Sequence, residues 1–183
     1  MELSSKLRQI ADSIDADEKP DRQTIASQIH TALNSLESGK PPINALSSVV
    51  AVLRAAQLLH HTHHWIMTGP QFYGDHLLLQ RLYEGISFDA VGEKTVCMGG
   101  SVCPIQQTQA VGNLISKFAT ESEDPESLIT ASLAMEEYVL EVIDQAKAQL
   151  EQEGNLSNGL DNLLQGIADS HETFVYLLKQ RLK

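Results

Sequence analysis

Gly69-Pro70 falls inside a histidine-rich run whose apolar residues recur at helical spacing, and this interruption constrains the fold more than any other feature. Proline has no N–H and pushes the residue before it out of the αR region, so a helix running into the pair must stop. The run from His60 to Glu93 reads HHTHHWIMTGPQFYGDHLLLQRLYEGISFDAVGE. It predicts a helix ending near Thr68, a tight corner, and a second helix starting near Phe72. His64 stands five residues before Gly69, and His76 stands six after Pro70. In an antiparallel hairpin these positions lie at about the same height on facing helices. Two facing imidazoles suit a transition metal.

The remaining stripes are helical too. Leu46, Val50, Leu53, Gln57, His60 and His64 recur at spacings of three and four, which predicts a first long helix over about 43–68. Phe72, His76, Leu79, Tyr83 and Ile86 share the stripe of a second, predicted over about 72–96. A loop with Cys97, Gly99-Gly100 and Cys103 follows, then a short helix carrying Val111, Leu114, Ile115 and Phe118. Asp124-Pro125-Glu126 is a helix start: a cap, a proline in the first turn and an acid at the positive end of the dipole. The third long helix should turn Leu133, Leu140, Ile143 and Leu150 inward and end near Gln152. A fourth should run from about Ser157, with Leu160, Leu164, Ile167, His171, Phe174 and Leu178 along one face. No stretch alternates as a strand would. Residues 1–41 read as a separate N-terminal extension of two amphipathic helices, ended by Pro41-Pro42, and residues 42–183 as an all-α four-helix bundle.

Composition narrows the function. A formal charge of −11 and a pI near 4.9 argue against DNA binding, which needs a basic footprint, and fit the binding of cations. No apolar run is long enough to span a membrane, and the acidic amphipathic start lacks a signal peptide's apolar core, so the expected location is the cytoplasm. Cys97 and Cys103 are six apart, which does not match a zinc knuckle; free thiols are expected.

The helix outline and the central motif together resemble the Dps miniferritins, the dodecameric iron-storage proteins of starved bacteria. The residues carrying the resemblance are His64-Trp65, Gly69, Phe72-Tyr73, His76, Tyr83, Asp89, Glu93-Lys94 and Gly99-Gly100-Ser101. It extends over roughly residues 43–183, since Asp169-Ser170-His171 also looks like that family's last helix. The resemblance implies a ferritin-like fold with a short helix in the crossover between the second and third long helices. It implies iron held between two subunits, with zinc as the alternative ion. His64 and His76 would come from one chain, and Asp89 and Glu93 from its two-fold mate. It implies a homo-oligomer, a dimer at least and a dodecamer in the family. The activity implied is that of a ferroxidase, oxidising Fe(II) with peroxide or oxygen and storing the product. Two positions depart from the pattern. The family's acid four residues after the second histidine is Gln80 here, and Asp89 lies two residues closer to His76 than the family spacing. On a regular helix two residues are a rotation of about 200°. These departures favour a second reading: a degenerate, non-catalytic ferritin-like protein serving assembly or partner binding.

Each residue also has a plainer reading. His64 and His76 read equally as buried, hydrogen-bonded histidines. His60 and His61 lie within a turn of His64, which leaves open a mononuclear site on the first helix alone. His63 is expected to point away, toward solvent or a subunit contact. Trp65 reads as a core or interface aromatic, or as a shield for the site. Asp89 and Glu93 at i and i+4 read also as a solvated acidic face. Glu136, Glu137 and Glu141 are expected on an exposed face, and His171 as a core residue with Asp169 as neighbour. No E-x-x-H pair occurs on the last two helices, which argues against a metal centre within one subunit.

Overall fold

The computed structural model describes residues 44–183, and the helical pair expected over residues 1–41 lies outside them. The described residues form six helices: α1 (Asn44–Ile66), α2 (Phe72–Gly85), α3 (Asp89–Cys97), α4 (Pro104–Phe118), α5 (Pro125–Gln152) and α6 (Asn158–Arg181). The four bundle members are α1, α2, α5 and α6. Helix α1 packs on α2 and α5, α5 packs on α6, and α2 meets α6, which closes the ring. The crossover carries α3 and α4, both lying against α1. None of these helices is long and apolar enough to cross a membrane.

The ends of the helices follow from local chemistry. Gly69 has φ +91°, a left-handed conformation that glycine adopts without steric cost, and it turns the chain between α1 and α2. Asp124 caps α5 by accepting from the Ser127 N–H at 3.0 Å, and Ser157 caps α6 by accepting from the Leu160 N–H at 3.2 Å. Inside the ring, Leu46, Leu53, Leu79, Leu82, Ile129, Met135, Ile143, Leu150, Leu164 and Leu178 are fully buried. Each such side chain contributes about 1.5–3 kcal/mol relative to exposure. The far end of α6 is tied to the first turn of α2 by a bidentate pair, Arg181 to the buried Asp75 at 2.5 and 2.9 Å.

Two expectations need correction. The second helix does not run from 72 to 96: it ends at Gly85, the chain extends through Ile86 at φ −82°, ψ 122°, and α3 restarts at Asp89. Glycine costs a helix about 1 kcal/mol relative to alanine, so the helix is weakest here. A contact from another helix uses the same spot. A Cβ on Gly85 would sit 2.7 Å from the Phe174 Cζ, so the aromatic ring of α6 occupies the space any side chain would need. The other correction concerns the face of α5. Its buried positions are Leu128, Ile129, Ser132, Met135, Glu136, Val139, Val142, Ile143, Ala146 and Leu150, whereas Leu133 and Leu140 are only half-buried. Glu136 is therefore inside the bundle rather than on an exposed face.

The contact at Gly85 gives a direct expectation. Gly85→Ala should destabilise the bundle by about 1–2 kcal/mol, because overpacking outweighs the propensity gain at a helix end. Phe174→Leu in the same chain should recover part of the loss by vacating that space. Urea denaturation of the two variants checks this; a Gly85→Ala chain as stable as the parent would show the close approach to be unimportant.

Candidate metal centre

His64 stands in the last turn of α1, and His76 stands in the second turn of α2. Their rings stack at 3.6 Å between centroids with 24° between planes. The contact is reciprocal: His64 Nδ1 donates to the His76 carbonyl at 2.9 Å, and His76 Nδ1 donates to the His64 carbonyl at 3.0 Å. A carbonyl can only accept, so both rings carry their proton on Nδ1. In the neutral tautomer each Nε2 then bears the free lone pair. Metal-ligating histidines are commonly oriented in this way, with the other ring nitrogen donating to a backbone carbonyl or carboxylate.

Aromatic rings continue outward from the pair. Phe72 lies 5.0 Å from His76, and Tyr83 meets His64 edge-on at 5.2 Å. His61 packs on Trp65 and Tyr83, at 4.2 and 4.3 Å, with its ring 6.3 Å from that of His64. Trp65 is 65% exposed and Tyr73 74% exposed, so these large rings stand uncovered among the described residues. Trp65 is thus not a core residue among the described residues. Gln80, at the position of the family's missing acid, is half-buried and donates to Glu84 Oε1 at 2.8 Å.

Asp89 and Glu93 come together elsewhere. Both are exposed on α3 and line a pocket of about 660 Å³ with Arg54, Phe88 and Cys97. The break after Gly85 resets the helix register between His76 and Asp89, so the shortened spacing does not fix where the acids point. Among the described residues, no three His, Cys, Asp or Glu side chains are arranged to hold a metal ion. The two cysteines are free; Cys97 ends α3 and Cys103 precedes α4.

A second polar cluster, in the core of the bundle, was not legible in the sequence. Glu136 is fully buried, and its two oxygens accept from His60 Nε2 at 2.6 Å and His171 Nδ1 at 2.5 Å. Ser132 Oγ lies 3.2 Å from His60 Nδ1 and 3.0 Å from His63 Nδ1. One hydroxyl proton cannot serve both rings, so at least one of these imidazoles donates to Ser132. Burial alone would raise the Glu136 pKa, but hydrogen bonds from His171 and His60 overcome it and lower it to about 2. His63 is buried rather than solvated, and its pKa falls to about 4, chiefly through desolvation and then the nearby His60. His171 is a satisfied core residue, as expected, but its partner is Glu136 and not Asp169. The missed signal was Glu136 lying in one stripe with Ser132, Val139 and Ile143.

Known proteins share the fold of the helices. A family model described as the ferritin-like domain matches residues 43–183. No curated protein matches the chain. Among solved structures the chain is similar to DpsC from Streptomyces coelicolor, at 24% identity and a TM-score of 0.65, covering 77% of this chain and 83% of that one. It is similar to a histidine-to-glycine mutant of Listeria innocua Dps, at 20% identity and a TM-score of 0.66, covering 76% and 94%. It is similar also to Dps from Thermosynechococcus elongatus, at 18% identity and a TM-score of 0.61, covering 84% and 95%. With the helix ring closed by α1, α2, α5 and α6 and the crossover carrying α3 and α4, the chain belongs to the ferritin-like family, and its fold is that of the Dps miniferritins.

Proposed function

We propose that this protein binds ferrous iron at a site shared between two copies of the chain, oxidises it with peroxide or oxygen, and stores the ferric product. His64 and His76 of one copy supply imidazole nitrogen, and the second copy supplies Asp89 and Glu93. Iron is substrate and cargo, and zinc is the ion that competes for the same donors. The observation that carries the reading is the reciprocal bonding of His64 and His76, which leaves Nε2 of each ring free. Imidazole with hard carboxylate oxygen is a donor set suited to iron. The exposed Trp65, Tyr73 and Phe72 beside the pair give the second copy an apolar surface to cover.

The test begins with mass in solution. Light scattering should show an assembly of at least two chains, and twelve if the Dps shell forms. A concentration-independent monomer would remove the shared site. A non-catalytic assembly role is favoured by one observation, the neutral Gln80 where an acid would complete the donor set. The two readings part on one substitution. Gln80→Asp should raise Fe²⁺ affinity several-fold or speed Fe²⁺ oxidation followed by ferric absorbance, because a charged oxygen is the better ligand for iron. If the parent and Gln80→Asp both leave Fe²⁺ unoxidised in the presence of peroxide, the assembly role is the better account.

A further inference from the structure

Helix α2 buries few side chains. They are Asp75, Leu79 and Leu82, with Ile86 just past its end, a stripe spaced by four, three and four. Such a stripe is the side of a helix that faces the core. Its first position carries an aspartate in place of an apolar residue. The rest of that first turn gives the body little to hold, because Phe72, Tyr73 and Gly74 are exposed. Gln71, just before the helix, makes no side-chain cap.

Arg181 takes up the buried aspartate. Asp75 is 2% exposed, and the guanidinium in the last turn of α6 meets it with two bonds, Nε to Oδ1 at 2.5 Å and Nη2 to Oδ2 at 2.9 Å. An acid at a helix start and a base at a helix end each sit favourably on the dipole. The fork fixes orientation as well as distance, since both bonds form only when the two planar groups align. Apolar contacts at the same place would bury surface but are non-directional.

His76 follows Asp75 directly, about 100° further around the helix. Its ring stacks on His64 of α1, and each Nδ1 donates to the other's carbonyl. A small roll of the first turns of α2 would slide one ring across the other and misalign both bonds. The histidine pair joins α2 to α1, and the fork joins the same stretch of α2 to α6.

We propose that Arg181, acting through Asp75, is a positioning residue for the metal pair: its fork sets the rotation of the first turns of α2 and so holds His76 in register with His64. The inference rests on the reading of His64 and His76 as metal donors and adds the element that keeps them aligned before metal arrives.

The experiment uses the full chain, metal-free, with ¹⁵N-labelled histidine. In the parent, the carbonyl-bonded Nδ1–H protons of His64 and His76 should appear as slowly exchanging resonances. The double variant Asp75→Leu with Arg181→Met replaces the ion pair by apolar side chains, an exchange that commonly preserves stability. It should keep the parent's helical content and urea midpoint, yet lose the slow exchange at both rings. Its Zn²⁺ affinity, by calorimetry, should fall about 10-fold, as when an outer partner of a ligand is removed. Arg181→Lys keeps the charge but not the fork, and should show the same loss of slow exchange. Parent-like Nδ1–H resonances in a folded double variant would overturn the positioning role. If the double variant fails to fold, unchanged resonances in Arg181→Lys overturn it instead. Zn²⁺ binding in the parent that does not depend on His64 and His76 would end the metal reading, and the metal-free resonances would still decide the role of Arg181.

Discussion

Glu136→Ala should destabilise the bundle by about 3–5 kcal/mol. The residue is fully buried and accepts from His60 and His171, two imidazoles that are themselves buried. Truncating it leaves two N–H groups facing apolar side chains, along with a cavity where the carboxylate was. Glu136→Gln should cost less, because its amide oxygen still accepts one bond while its NH₂ faces the other ring. Urea denaturation at pH 7 measures both, and a loss below about 1 kcal/mol for alanine would mean the cluster contributes little. The same cluster sets the acid response. The Glu136 carboxyl is lowered from 4.5 to about 2, so its contribution is present above pH 4.5 and is lost as pH falls toward 2. His63 is lowered from 6.5 to about 4, so the unfolded chain takes up that proton first and stability falls as pH drops from 6.5 to 4. Stability should therefore decline in two stages between pH 6.5 and 2. His63→Gln should flatten the upper stage, and an unchanged upper slope in that variant would assign the decline to other groups.

Replacing His64 and His76 together by alanine should lower Fe²⁺ or Zn²⁺ affinity at the shared site at least about 100-fold while leaving helical content largely intact. The two rings donate only to each other's carbonyls, and those backbone groups regain water when the rings are removed. The metal loses every imidazole donor of the site at once, and carboxylates alone bind such ions weakly. Asp89→Asn with Glu93→Gln should weaken binding less, and only in chains that assemble, because these acids line a separate pocket of their own chain. Calorimetry with circular dichroism on the same samples separates the two effects. A double-histidine variant that keeps the shared-site affinity would end the ferritin-type reading, and with it the role of Asp89 and Glu93.

The positions of α1, α5 and α6, and the buried faces of α1 and α6, are legible in the sequence, where an apolar stripe runs between chemical stops. Leu46, Val50 and Leu53 repeat on α1, and Leu160, Leu164, Phe174 and Leu178 repeat on α6, all of them buried. The Gly69-Pro70 corner was equally plain, because proline's missing N–H and glycine's positive φ act locally. The facing of His64 and His76 followed from the same local rule, since their distances from the corner fix their heights on the two helices.

Whatever depends on which atom of another element comes close could not be read this way. Gly85 takes the ring of Phe174, a residue 89 positions later, and no local signal distinguishes this glycine from Gly92, which stays helical inside α3. The placement of Glu136 was decided by the rotation of α5 against α1 and α6. A charged residue in a half-apolar stripe reads as surface until partners are seen, and its partners His60 and His171 lie 76 and 35 residues away. The burial of His63 escapes a reading of the sequence for the same reason: the hydroxyl that meets it, Ser132, belongs to a distant helix. Periodicity and helix stops are properties of neighbours along the chain, so the order of residues alone gives the helical class, the Gly69-Pro70 hairpin and the facing histidine pair, but not the break at Gly85. Burial of charge depends on neighbours in space, so the fate of the carboxylates is settled only when the helices pack.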